Sequence, residues 1–219
     1  MIEHQGVWLP DGETHFQQWM SQFGEIVDGR GTYQIRKLRT ALGYVKQWRT
    51  AIDVGAHVGL WSMQLAKKFA LTIGFEPVRD FELCYARNLT DAPNDVVVYS
   101  YALGRTPGIV NMQREVWDSG GTHVQKHGAG PPAEQRILDS FGFENVDFLK
   151  IDVEGYEGEV IAGAIETIRR WKPCICVEQK PRKLAQNYKL DGHPAVDTLL
   201  AEGAKLRAEM SGDYILSWD

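Results

Sequence analysis

The 219 residues, 43% hydrophobic and 24% charged, suffice to bury the core of one α/β domain and leave too little for a second, so residues 1–219 read as a single domain. A net charge of −5 with no basic run longer than Lys67-Lys68 or Arg169-Arg170 gives no electrostatic footprint for a phosphate backbone, which disfavours nucleic acid as a partner. No apolar stretch approaches the roughly eighteen residues of a membrane span, and the start Met1-Ile2-Glu3-His4-Gln5 lacks the basic-then-apolar design of a signal peptide; the expected place is the cytoplasm, with no membrane partner.

Residues 1–48 are expected to form a helical N-terminal cap. Thr14 is a candidate N-cap for a helix through Gln22, and Phe16, Trp19, Met20 and Phe23 recur there at helical spacing and read as packing. A second helix spans Tyr33 to Gln47. The two are expected to cover a sheet edge. The sharper alternative is a lid over a ligand mouth, with Asp28-Gly29-Arg30-Gly31 as a flexible joint.

Next, a buried strand, Ala51-Ile52-Asp53-Val54, runs into Gly55, three residues, Gly59 and an amphipathic helix from Leu60 to Phe69. Gly55 can take the positive φ of a tight turn, and Gly59 has no β-carbon to hold a ligand off the helix N-terminus. The spacing is Asp-x-Gly-x-x-x-Gly, not the Gly-x-Gly-x-x-Gly of a pyrophosphate cradle. A carboxylate beside the loop suits a ligand with a cationic end, such as the amino-acid and sulfonium part of S-adenosylmethionine. The following strand, Leu71 to Phe75, ends in Glu76, and Pro77 has no N–H to continue a ladder. An acid at this second strand end can accept two ribose hydroxyls, a geometry that serves NAD and S-adenosylmethionine equally.

A helix around Phe81 to Leu89 leads to the strand Val96 to Ser100, whose β-branched run predicts a buried position. Tyr101-Ala102-Leu103-Gly104 ends it. Residues 105–135 break the alternation of strand and helix and read as an inserted hairpin or loop. Gly108 to Met112 is a short strand there, and a long loop with Trp117, His123 and His127 would shape a substrate pocket. The His-x-x-x-His spacing would pair metal ligands on a helix, but Gly120-Gly121 and the stretch Gly128 to Pro132 oppose one. Metal is not the expectation, and the readings for His123 are an exposed loop histidine or a general base.

Phe148-Leu149-Lys150-Ile151-Asp152 is a strand expected beside the first, which puts Asp152 at the same crevice. Gly155 lets the chain turn, and Val160, Ile161, Ala164, Ile165 and Ile168 mark a helix over 159–168. Glu157 either stabilises the N-terminus of that helix through its dipole, worth about 0.3–1 kcal/mol, or takes part in chemistry. Cys174 and Cys176 alternate on the strand 174–178 and, with Cys84, read as small buried side chains rather than a disulfide or zinc set. Glu178 ends that strand and joins Asp152 and Glu154 in a carboxylate cluster.

Asp53-x-Gly55-x-x-x-Gly59, Phe75-Glu76-Pro77, Ala102-Leu103-Gly104, Leu138-Asp139-Ser140 and, above all, Lys150-Ile151-Asp152-Val153-Glu154-Gly155-Tyr156-Glu157 followed by Gly163-Ala164 resemble the FkbM family of S-adenosylmethionine-dependent methyltransferases. The resemblance covers residues 48–180. It implies a Rossmann-like class I methyltransferase fold, an α/β architecture with a mostly parallel seven-stranded sheet and helices on both faces. It also implies S-adenosylmethionine as cofactor, S-adenosylhomocysteine as product and O-methylation of a hydroxyl as the usual reaction. Asp53, Gly55, Gly59 and Glu76 then become cofactor-binding residues, with Ala56, His57, Pro77 and Asp152 beside them and Ala102 and Leu103 near the adenine. Family members often carry a histidine shortly after the acid of the fifth strand, whereas Glu178 is followed by Gln179-Lys180-Pro181.

Moving a methyl from a sulfonium to a hydroxyl is an in-line displacement, so alignment in a dry pocket supplies most of the acceleration. A carboxylate within hydrogen-bond reach can take the proton of a weakly nucleophilic alcohol. Asp152 is the candidate base, with Glu154, Glu178 and His123 as further catalytic candidates and a hydroxyl of a small metabolite or sugar as the expected acceptor. A divalent cation on Asp152, Glu154 and Glu178 is a competing use of the same oxygens, not the predicted one. Two other classes are weighed: a nucleotide-dependent oxidoreductase, which needs the Gly-x-Gly-x-x-Gly turn, and a non-catalytic S-adenosylmethionine-binding module. Methylation of a base nitrogen uses an Asn/Asp-Pro-Pro-aromatic ending, which Asp152-Val153-Glu154-Gly155 does not provide, so oxygen is the favoured acceptor.

Overall fold

The computed structural model describes residues 1–114, 118–125, 128 and 130–218. The N-terminal segment carries β1 (Ile2–His4), β2 (Val7–Leu9), α1 (His15–Phe23), β3 (Ile26–Val27), β4 (Arg30–Gly31) and α2 (Ile35–Leu42). Strand and helix then alternate through β5 (Thr50–Val54), α3 (Ser62–Leu65), β6 (Leu71–Phe75), α4 (Arg79–Asn88) and β7 (Asp95–Tyr99). Four strands follow, β8 (Ala102–Leu103), β9 (Gly108–Gln113), β10 (His123–Gln125) and β11 (Pro132–Arg136). The alternation resumes with β12 (Val146–Ile151), α5 (Glu157–Ala162), α6 (Ile165–Trp171), β13 (Cys174–Glu178), α7 (Pro181–Tyr188) and α8 (Pro194–Ala201), and β14 (Lys205–Met210) and β15 (Asp213–Ser217) form a closing hairpin.

Seven strands form one sheet in the order β14-β15-β13-β12-β5-β6-β7. The pairs from β13 to β7 are parallel, and the β14–β15 hairpin joins β13 antiparallel. From β5 the chain winds outward through β6 and β7, then returns to β12 and winds the other way through β13. The switch point, where ligands enter open α/β sheets, therefore lies between the carboxyl ends of β5 and β12. On one face Ile52, Val54, Leu149 and Ile151 pack with Val160 and Ile168 of the helices α5 and α6. On the other, Ala51 and Phe148 pack with Leu38 and Ala41 of α2 and with Trp61. Burial of both faces is why these strands are near-continuous apolar runs. The three cysteines are free and buried.

Several elements depart from the expectations. α2 ends at Leu42, before Gly43, and lies on a sheet face rather than an edge. The Phe16 amide at the start of α1 is taken by the Glu13 carboxylate, one residue before Thr14, at 2.8 Å, and Phe23 is exposed. The expected joint at 28–31 is a tight ribbon, tied down because Arg30 donates to Asp91 (2.8 Å) and to the Asn88 carbonyl (2.6 Å) while Lys67 holds Asp28 (2.7 Å). β7 is an edge strand with Val97 41% exposed, so its β-branched run reflects strand propensity without burial. Helix 60–69 shrinks to the fully buried α3. Helix 159–168 is split in two because the Asp139 carboxylate reaches in to cap α6 through the amides of Glu166 (3.0 Å) and Thr167 (2.8 Å). The described residues of the 105–135 stretch supply β9, β10 and nearly all of β11, which join β8 in a four-stranded sheet, β10-β9-β11-β8, with a 3₁₀ turn at Ser119–Gly121. Among the described residues no helix is long and apolar enough to cross a membrane.

Candidate active site

The carboxyl ends of the central strands open into a cavity of about 350 Å³, within the size range of small-molecule sites. Phe16 and Trp19 of α1, Ser119 and His123 of the insert, and Lys180 and Lys183 around the start of α7 complete its wall. The first N-terminal helix thus contributes to the cavity wall, where edge cover was the expectation and a lid the alternative.

Of the expected cofactor residues, Gly55, Ala56, His57, Glu76, Pro77, Ala102, Leu103 and Asp152 line the cavity, whereas Asp53 and Gly59 do not. Asp53 is sealed behind the wall: its oxygens meet the Ser62 hydroxyl at 2.7 Å and Lys150 Nζ at 3.1 Å, and its side chain is 0% exposed. Gly59 serves packing, since a β-carbon there would lie 2.6 Å from Leu89 and 2.9 Å from Tyr85. Gly55 has φ +74°, and its β-carbon would fall 1.9 Å from the Asp152 carbonyl oxygen; the close approach it permits is between the two strand ends. The amides of the first three loop residues are already engaged. Those of Gly55 and Ala56 donate to the Phe75 carbonyl (3.1 and 3.0 Å), and that of His57 donates to Glu76 Oε2 (2.9 Å). Glu76 Oε1 accepts from the Val78 amide at 2.8 Å. Burial pushes the Glu76 carboxyl up to about 7 against the pull of these two amides.

Asp152, Glu154 and Glu178 bring one oxygen each within 4.8 Å of one another. A lysine answers each acid: Lys150 Nζ stands 3.8 Å from Asp152, Lys183 Nζ 2.7 Å from Glu154, and Lys180 Nζ 2.6 Å from Glu178. Burial and then Asp152 push Glu178 up to about 8 and raise Glu154, with the lysines opposing. His123 lies on β10 at the cavity wall, half-buried rather than on an open loop, and its Nδ1 donates to the Gly121 carbonyl at 3.0 Å. Glu157 is buried, outside the cavity, and accepts the amides of Val153 (3.2 Å) and Gly155 (2.9 Å). It pins the turn that carries Glu154. Trp117 and His127 lie outside the described residues.

The methyltransferase FkbM domain model matches residues 53–207. The chain belongs to the FkbM methyltransferase family. Among solved structures, the methyltransferase FkbM from Methylobacillus flagellatus KT is similar at TM-score 0.52 and 20% identity, over 80% of this chain and 44% of that one. This FkbM family member therefore spans less than half of that protein's length. The precorrin 8W decarboxylase from Methanobacterium thermoautotrophicum is similar at TM-score 0.50 and 13% identity, over 100% of this chain and 95% of that one. At these identities the likeness is one of fold, the Rossmann-like class I methyltransferase fold. No curated protein sequence matches the chain at a significant level.

Sequence reasoning missed three residues in or beside this cavity. Lys150 sits opposite Asp53 in the β12–β5 register and also donates to the Gly55 carbonyl at 3.1 Å. Burial, the largest influence, pulls its ammonium down, but Asp53 and Asp152 outweigh it and hold the group above its ordinary value. Its signal was a lysine inside an apolar strand. Tyr33 faces the same cavity, where burial and then Asp152 raise its phenol. Glu13, the third, had no readable signal, since its partner Ser119 is 106 positions away.

Proposed function

We propose that the chain is an S-adenosylmethionine-dependent O-methyltransferase of the cytoplasm that acts on a hydroxyl of a small metabolite or sugar, with Asp152 as general base. The observation that carries the cofactor reading is the polarity of the loop after β5. Its first three amides are engaged by Phe75 and Glu76, so a pyrophosphate such as that of NAD would meet carboxylates in place of free N–H donors. A ligand with a cationic end would meet Glu76 and Asp152, which favours a methyl donor over the nucleotide-dependent oxidoreductase.

When bound, the cofactor supplies a methyl group on a positively charged sulfur. Glu76 keeps lone pairs beyond those used by the two amides and can accept ribose hydroxyls, while Ala102 and Leu103 offer an apolar wall suited to an adenine face. Asp152 accepts the proton of the acceptor hydroxyl as the new C–O bond forms. Phe16 and Trp19, in the wall of the same cavity, help to keep water from that step. Glu154 with Lys183 and Glu178 with Lys180 alternate acceptors and donors along the wall, which suits a neutral acceptor carrying several hydroxyls. The same two ammoniums already offset charge in this cluster, and we assign no metal there. Three buried, unpaired thiols agree with a reducing compartment.

Titration calorimetry tests the cofactor: S-adenosylmethionine and S-adenosylhomocysteine are expected to bind and NAD is not. Binding of NAD alone would reverse the ranking. Transfer of a labelled methyl group to a panel of sugars and hydroxylated metabolites separates an enzyme from a binding module, which would bind the cofactor and label nothing.

A further inference from the structure

A run of hydrogen bonds crosses from the N-terminal segment through the inserted sheet to the cofactor loop. Glu13 is 1% exposed. Its Oε1 accepts from the Phe16 amide (2.8 Å), and its Oε2 accepts from both the Ser119 amide (2.9 Å) and the Ser119 hydroxyl. The same hydroxyl oxygen lies 2.8 Å from His57 Nε2, and the His57 backbone amide donates to Glu76.

Counting protons fixes the direction of the relay. Two amides aim at Glu13, so it acts as the acceptor and the single Ser119 proton goes to it. The hydroxyl oxygen must then accept from Nε2–H, which leaves Nδ1 without a proton. Nδ1 is enclosed and has no hydrogen-bond partner among the described residues. The ring is held between Phe16, stacked at 4.9 Å, and Phe81 at 4.5 Å. Its backbone sits at φ +51°, a left-handed conformation that a histidine keeps only where its surroundings over-determine it. Burial first, then Lys150 and Arg114, push the imidazole down to about 3, so it stays neutral near pH 7.

We infer that Glu13 and Ser119 are positioning residues for the cofactor loop, acting through a Glu13–Ser119–His57 relay that fixes the tautomer and orientation of His57 and, through its backbone amide, the carboxylate of Glu76. The inference rests on the cofactor reading above. It makes the cofactor site incomplete without the segment that precedes α1.

Nitrogen-15 NMR of the His57 ring tests the relay in the wild-type chain, where the Nε2–H tautomer is expected. In Glu13→Gln one acceptor oxygen remains for the two amides and the hydroxyl that the carboxylate serves, so the dissociation constant for S-adenosylhomocysteine is expected to rise severalfold. The dissociation constant for S-adenosylhomocysteine should rise about tenfold in Ser119→Ala, which leaves a buried donor unpaired, and stay near the wild-type value in Ser119→Thr, which restores the hydroxyl. An Nδ1–H tautomer in the wild-type chain, unchanged affinity in Glu13→Gln or in Ser119→Ala, or a Ser119→Thr variant as weak as Ser119→Ala overturns the relay. A wild-type chain that does not bind S-adenosylhomocysteine at all overturns the cofactor reading instead, and its ring tautomer still decides the relay. The same measurement decides it if the alanine variant does not fold.

Discussion

Asp53 and Asp152 belong to neighbouring parallel strands, yet one is sealed behind the cavity wall and the other stands in it. Asp53 is the penultimate residue of β5, so the pleat fixes it on the face shared with α3, where Ser62 and Lys150 take its oxygens. Asp152 follows the last residue of β12. Its amide still bonds the Val54 carbonyl at 3.1 Å, but its side chain passes the sheet edge and is 21% exposed. A shift of two positions relative to the strand end separates a structural counter-ion from a group that can meet a ligand. Lys150 serves both, since it faces Asp53 across the ladder and precedes Asp152 by two residues on the same strand.

The largest test of this contrast is Asp152→Asn, which should lower turnover at saturating S-adenosylmethionine by about 10²–10⁴-fold and weaken S-adenosylhomocysteine far less in calorimetry. Turnover close to wild type would remove Asp152 from the chemistry. Next comes Lys150→Met, which leaves Asp53 buried without its cation and should cost about 3–5 kcal/mol of stability in urea unfolding. A stability loss well under 1 kcal/mol would mean that the pair is not the buried counter-ion couple described above. Asp53→Asn should cost less, because the carboxamide keeps an acceptor for the Ser62 hydroxyl, and the folded variant should still bind the cofactor. Loss of cofactor affinity at full stability would put Asp53 back among the binding residues.

The contrast also marks what could be read in advance. Apolar runs ending in acids at Asp53, Glu76, Asp152 and Glu178 made the parallel strands and their crevice legible, because burial on both faces leaves little freedom in composition. The direction of Asp53 was not legible, since it depends on which strand lies opposite and on a lysine nearly a hundred positions away. The same non-local logic hid the Glu13 relay, the Asp139 cap that divides α5 from α6 and the tether that stiffens the ribbon at 28–31. Gly59 misled for a different reason. A glycine after a strand can serve a ligand or a helix, and only the positions of Tyr85 and Leu89 decide between them.

The smallest effect concerns a second pair divided by the same wall, Glu157 behind it and Glu178 in it, both pushed up to about 8, chiefly by burial. The ordinary value is 4.5, so each group favours folding fully only below that pH, and its contribution is lost as pH rises through about 8, because the folded state there holds a proton that the unfolded state has released. Glutamine mimics the protonated form at Glu157, whose Oε1 receives both amides while Oε2 is enclosed without a partner among the described residues. Glu157→Gln should therefore make the melting temperature fall less steeply between about pH 5 and about pH 8 than in the wild-type chain, and by the same amount with or without S-adenosylhomocysteine. For Glu178→Gln the change in slope should depend on the ligand, since that carboxyl borders the space a ligand fills. Equal ligand dependence in the two variants would show that the wall between them does not divide the acids as described.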